Sequence, residues 1–153
     1  MTTALRTFTG LGLILFSIVF STSTSQAQVI DLTWNMLADV TFKDVYLEEY
    51  DIYYYYPTFG PQVLDMEGRE VKISGYVIPV DYDEDYYVLS AFPFAQCFFC
   101  GGAGPESVID LRLKKGHRTF KTDERLTFRG VFTTNTTDIY SLNYILEDAD
   151  VVD

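Results

Sequence analysis

The sequence predicts a mainly β protein, a small OB-like five-stranded barrel preceded by an N-terminal wrapping segment. Two observations carry that expectation. Five short runs after residue 69 alternate apolar and polar residues with period two, the signature of half-buried strands. Two of those runs carry a glycine in mid-strand, Gly75 and Gly130, where a closed and strongly coiled sheet needs a bend or a bulge.

The first run is Glu70-Val71-Lys72-Ile73-Ser74, continuing through Gly75 into Tyr76-Val77-Ile78. Asp81-Tyr82-Asp83-Glu84-Asp85 follows as a polar turn, and Tyr86 to Phe92 forms the return strand. Ile109, Leu111 and Leu113 alternate with Asp110 and Arg112 in a third strand. Leu126, Phe128 and Phe132 mark a fourth. After a turn at Asn135-Thr136-Thr137-Asp138, the residues Tyr140, Leu142, Tyr144 and Leu146 mark a fifth. An OB barrel usually has a helix between its third and fourth strands. Lys114 to Glu124 is polar and lacks helical periodicity, so that helix is expected to be absent.

Residues 28–68 show no such alternation. Leu32, Trp34, Met36 and Leu37 suggest a short helix capped by Asp31. Tyr53-Tyr54-Tyr55-Tyr56-Pro57 suggests extended structure ending at a turn. Both are expected to wrap the barrel that residues 69–153 form. A stacking surface for sugars or aromatics is the less favoured reading of the tyrosines.

Residues 1–27 have the pattern of a secretory signal peptide. Arg6 precedes an apolar run, Leu11 to Phe20, and Ser25-Gln26-Ala27 provides a small-residue cleavage site. The run is about ten residues long, and a membrane span needs about 20. The expectation is export to the periplasm or medium, with no transmembrane segment after cleavage.

The charge balance narrows the partners. The chain of 153 residues has 11 Lys and Arg against 22 Asp and Glu, a net charge of -11. Nucleic-acid binding depends mainly on neutralising phosphates, so it is not expected. Twelve tyrosines, twelve phenylalanines and a tryptophan supply a core and exclude wholesale disorder. One segment runs against the balance: between Ser107 and Arg129 stand seven basic and three acidic residues. Pairing with neighbouring acids is the favoured reading there, and an anion site the other.

The sharpest chemical feature is Cys97-Phe98-Phe99-Cys100, followed by Gly101, Gly102 and Gly104. These are the chain's two cysteines, and three readings stay open. One is a local disulfide in an oxidising compartment. Its short loop gives only about 2 kcal/mol in the chain-entropy picture. A second is a thiol-disulfide oxidoreductase, disfavoured because no strand-to-helix context follows. The third is capture of zinc or copper by the two thiolates, with His117 as the sole imidazole and Glu106 as the nearest carboxylate. Backbone amides of the glycine loop could then stabilise thiolate charge. One chain cannot complete such a site unless it is shared. Taken alone, His117 is expected to be an exposed loop residue.

Other motifs carry less. Asp81, Asp83 and Asp85 resemble the start of a calcium loop, but Tyr86 and Phe92 stand where such a loop needs Gly and Glu, so a hairpin turn is expected. No nucleophile, base and orienting group of a hydrolase is recognisable.

Four motifs together resemble a known family. They are Pro57-x-Phe59-Gly60, Leu64-x-x-x-Gly68, Gly75-Tyr76-Val77-Ile78-Pro79 and Cys97-Phe98-Phe99-Cys100-Gly101-Gly102. The chain from Leu32 to Asp150 is similar to the exported bacterial family catalogued as domain of unknown function 3299. That resemblance implies export and this fold, and no established activity. The sequence thus points to a non-enzymatic exported domain that binds an unknown protein or small ligand through the Cys97 to Gly104 loop. Zinc or copper is the favoured ligand there.

Overall fold

A computed structural model describes residues 28–81 and 83–152. The expected signal peptide lies outside the described residues. Among those described, no helix is long and apolar enough to cross a membrane.

The described residues form eight strands, two short α-helices and three 3-10 turns. The barrel consists of β4 (Glu70–Asp81), β5 (Tyr86–Ser90), β6 (Val108–Leu113), β7 (Arg125–Thr134) and β8 (Tyr144–Val152). Hydrogen bonding runs in the order β4-β5-β6-β8-β7 and returns to β4, which closes the sheet. All pairings are antiparallel except β6 with β8. This is the Greek-key order of an OB barrel. Lys114 to Glu124 contains no helix, as its composition predicts.

β4 closes the barrel by serving two partners. Its first half pairs with β7, its second half with β5, and Tyr76 belongs to both registers. The strand must bend sharply there. A Cβ on Gly75 would lie 2.6 Å from the Ser90 carbonyl oxygen and 2.8 Å from Leu89 Cγ. Gly130 stands at the β7–β8 bulge, where a Cβ would fall 2.5 Å from the Glu147 carbonyl oxygen. Both positions therefore require the absence of a side chain.

The alternation sorts the side chains as expected. Val71, Ile73, Val77, Tyr87, Leu89, Ile109, Leu111, Phe128, Phe132 and Leu146 fill the interior. Tyr86, Val88, Asp110 and Arg112 take the outer face of β5 and β6.

The fifth strand differs from its prediction. It begins at Tyr144, and Tyr140 lies in the preceding loop, 83% exposed. The reason is a network of side chain to backbone bonds that prolongs the turn. Asn135 Oδ1 accepts from Thr137 N and Asp138 N, and its amide donates to the carbonyls of Asp138, Ser141 and Leu142.

The N-terminal segment wraps only in part. β1 (Ile30–Asp31) runs parallel to the start of β4. In α1 (Trp34–Leu37) the N-cap is Thr33, whose hydroxyl accepts from Met36 N, so the predicted Asp31 cap lies two residues too early. The Trp34 indole donates to the Ser74 carbonyl, and Tyr144 Oη donates to the Leu37 carbonyl. Leu37 and, from α2 (Pro61–Leu64), Val63 are fully buried in the barrel core.

Between the helices, β2 (Val40–Leu47) and β3 (Ile52–Phe59) form a separate two-stranded sheet. The tyrosine tract continues through Pro57 as strand β3. Tyr53, Tyr55 and Tyr56 are exposed, which corrects the expectation that they pack as a wrapper.

Candidate functional site

The cysteine loop is a tight pair of 3-10 turns. The Cys97 carbonyl accepts from Cys100 N and Gly102 N, both at 3.1 Å, and the Phe98 carbonyl accepts from Gly101 N at 2.9 Å. Gly101 sits at φ 72°, and a Cβ on Gly102 would lie 2.5 Å from the Gln96 carbonyl oxygen. These amides are thus committed to backbone carbonyls. The expectation that they would stabilise a thiolate is not met.

Both cysteines are free thiols, Cys97 buried and Cys100 exposed. Burial, and then the Cys97 thiol beside it, push the Cys100 pKa up from its ordinary value. An activated nucleophile needs a depressed pKa, so this environment opposes oxidoreductase chemistry. The Glu106 carboxylate lies over Gly104, where a Cβ would meet it at 2.3 Å.

His117 is half-buried, which corrects its reading as an exposed loop residue. Its ring stacks on Phe120 and meets Tyr87 edge-on. Nε2 bonds Asp85 at 2.8 Å and Nδ1 bonds the Arg118 carbonyl at 2.9 Å, so neither nitrogen is open to a metal. Among the described residues, no group of three or more His, Cys, Asp and Glu is placed to hold a metal ion.

A different site emerges on the outer face of β5 and β6. It is an open cleft of about 580 Å³, lined by Asp81, Glu84, Asp85, Tyr86, Arg112, His117 and Tyr140 along with Leu111 and Leu113. Four stretches of chain build it. The turn at Asp83 to Asp85 forms one wall, shaped by Asp81 Oδ1 accepting from Asp83 N and Glu84 N. The aspartate triplet is therefore a hairpin turn, as predicted. His117 ties that wall to the β6–β7 loop through Asp85.

The floor rests on Asp110, a fully buried carboxylate. Its Oδ2 accepts from Arg112 Nη2 and from Leu142 N, each at 3.2 Å. Its Oδ1 has no hydrogen-bond partner of ordinary geometry among the described residues. Arg112 also donates to Ser141 Oγ at 2.9 Å, and Ser141 donates to Asp138 Oδ2 at 2.7 Å. This chain of bonds anchors the residue 135–143 loop and positions Tyr140. Burial, followed by the Asp110 carboxylate, raises the Tyr86 phenol pKa far above its ordinary value. Tyr86 thus stays neutral, its hydroxyl engaged with Asp110 and its ring lining the cleft.

Four of the seven basic residues pair with neighbouring acids, in line with the favoured reading. Arg112 pairs with Asp110, Lys114 with Asp150, Arg118 with Glu124 and Arg129 with Glu70.

Sequence reasoning overlooked the cleft because its residues come from separate loops, each an ordinary turn when taken alone. The usable signal was the fold itself, since OB barrels bind ligands on the face of their second and third strands.

No family model and no curated protein match the chain. Among solved structures, the crystal structure of a DUF3299 family protein from Pseudomonas aeruginosa PAO1 is similar to it, with a TM-score of 0.43 and 15% identity. The similarity covers 58% of this chain, which spans less than two thirds, 64%, of that protein's chain. This neighbour belongs to the family that the four sequence motifs resemble.

Proposed function

We propose that this chain is an exported, non-enzymatic binding domain whose cleft on β5 and β6 takes a short, neutral saccharide. The observation that supports this reading is the make-up of the cleft. Tyr86 and Tyr140 supply aromatic faces, Tyr140 a hydroxyl, Arg112 the guanidinium donors that Asp110 and Ser141 leave over, and Glu84 acceptors. Sugar rings stack their C–H faces on aromatics and pair their hydroxyls with such groups. The volume suits a ligand of two or three rings.

Charge argues against the other ligands OB barrels take. Three carboxylates line the cleft, and they repel phosphates. Asp81 is committed to its turn and Asp85 to His117, so the cleft lacks the free carboxylate pair that glycoside hydrolysis uses. Binding without cleavage is the better reading. A zinc or copper site on Cys97 and Cys100 would have to do without His117, which Asp85 and the Arg118 carbonyl hold, and among the described residues no third Cys, His, Asp or Glu is placed to complete it.

Calorimetry with cellotriose, maltotriose and chitotriose tests the proposal. At least one should bind, and Tyr140→Ala should weaken it about tenfold, the scale of one lost aromatic contact. Tyr140 is 83% exposed, so its removal leaves the fold intact. The absence of binding by every trisaccharide, or equal binding by Tyr140→Ala, would overturn it.

A further inference from the structure

The β2–β3 hairpin carries a second surface that the cleft does not use. Antiparallel register sets Phe42 beside Pro57, Asp44 beside Tyr55 and Tyr46 beside Tyr53, all on one face. Phe42 stacks on Tyr55 at 4.8 Å, and Tyr46 meets Tyr53 at 5.2 Å. The outer part of this aromatic ladder is open to solvent, with Tyr53 75%, Tyr55 51% and Tyr46 47% exposed. So much exposed aromatic area on a projecting hairpin marks an interaction surface.

Two further observations identify the occupant. The hairpin holds four acids, Asp44, Glu48, Glu49 and Asp51, all exposed, against the single base Lys43. Asp44 shares the face of the ladder, and Asp51 accepts the Tyr46 hydroxyl. Tyrosine faces edged with carboxylates attract cations through both the ring quadrupole and direct charge. A second copy of this acidic chain is repelled by the same charges. Among the described residues, neither β2 nor β3 pairs with any strand except the other, so backbone donors and acceptors remain along their outer edges.

We propose that the outer half of the β2–β3 hairpin docks an extended, Arg- or Lys-bearing segment of a partner protein. The segment adds as a strand along a free edge and lays alternate cationic side chains over the tyrosine ladder. Alternation matters, because only every second residue of a strand faces the rings.

The test uses two synthetic octapeptides, one of alternating arginine and threonine and one with glutamate replacing each arginine. The basic peptide should bind the intact chain, weaken as salt is raised, and lose about tenfold in affinity with Tyr53→Ser/Tyr55→Ser. Tyr53→Phe/Tyr55→Phe, which keeps the rings, should retain binding. An unchanged unfolding midpoint in the serine variant shows that the barrel is folded. Diffuse attraction to an acidic chain would survive in the serine variant, and that result overturns the proposal. Equal binding of the glutamate peptide also overturns it, as does self-association of the chain through the hairpin in sedimentation.

Discussion

Replacing Arg112 by methionine probes the floor of the cleft directly. The side chain keeps its length and apolar stem but loses the guanidinium that bonds Asp110 Oδ2 at 3.2 Å and Ser141 Oγ at 2.9 Å. Asp110 then stays fully buried, with the Leu142 amide on Oδ2 and the Tyr86 hydroxyl beside its carboxylate, and with no cation facing it. Breaking a wholly buried ion pair costs about 3–5 kcal/mol. Arg112 is 44% exposed, however, so solvent already screens part of the attraction. A charged hydrogen bond of about 1.5–3 kcal/mol is the better guide, and a loss of about 2 kcal/mol is expected. Urea unfolding should show the midpoint falling by about 1 M with an unchanged slope. Asp110→Asn introduced into the same variant removes the stranded charge and should recover about half of the loss. A cost for Arg112→Met below about 0.5 kcal/mol would refute the reasoning. A double variant less stable than the single one would do the same.

Gly75→Ala should destabilise the barrel by about 1–3 kcal/mol, because its Cβ would press on the Ser90 carbonyl at 2.6 Å; thermal unfolding measures the drop. Iodoacetamide should modify Cys100 slowly at neutral pH and reach Cys97 only on unfolding, as mass spectrometry can show. Release of both thiols by reductant alone would instead reveal a disulfide. Burial raises the pKa of Tyr86 and Tyr144 in the folded state. The stability they contribute is full below the ordinary tyrosine value near 10 and is lost as pH rises beyond it. Absorbance at about 295 nm should show these two phenols ionising after the exposed tyrosines, coincident with alkaline unfolding.

Much of the barrel was legible in the sequence because each strand buries one face, so its pattern has period two. Gly75 and Gly130 marked the places where backbones approach too closely for a side chain. The hairpin was harder to read. Tyr53 to Tyr56 present aromatics to both faces, which erases the period, and its turn through Glu48 and Glu49 lacks a strong hairpin signal. The late start of β8 depended on Asn135 bonding across to Ser141 and Leu142, a contact that local pattern does not encode. The same limit hid the cleft. As the sole imidazole His117 was the one nitrogen ligand that composition offered the cysteines, yet the barrel turns it toward Asp85 and Phe120. Spacing along the chain says nothing about which loops meet over one face of a closed sheet.

The central claim is that ligand binding occurs on β5 and β6 and not at the cysteine loop. Amide chemical-shift mapping during titration with the tightest-binding trisaccharide tests it most directly. The predicted result is that the largest shifts gather at Glu84, Asp85, Tyr86, Arg112, His117 and Tyr140, while Cys97 to Gly104 stay unmoved. Shifts centred on Cys97 to Gly104, with the cleft silent, would contradict it.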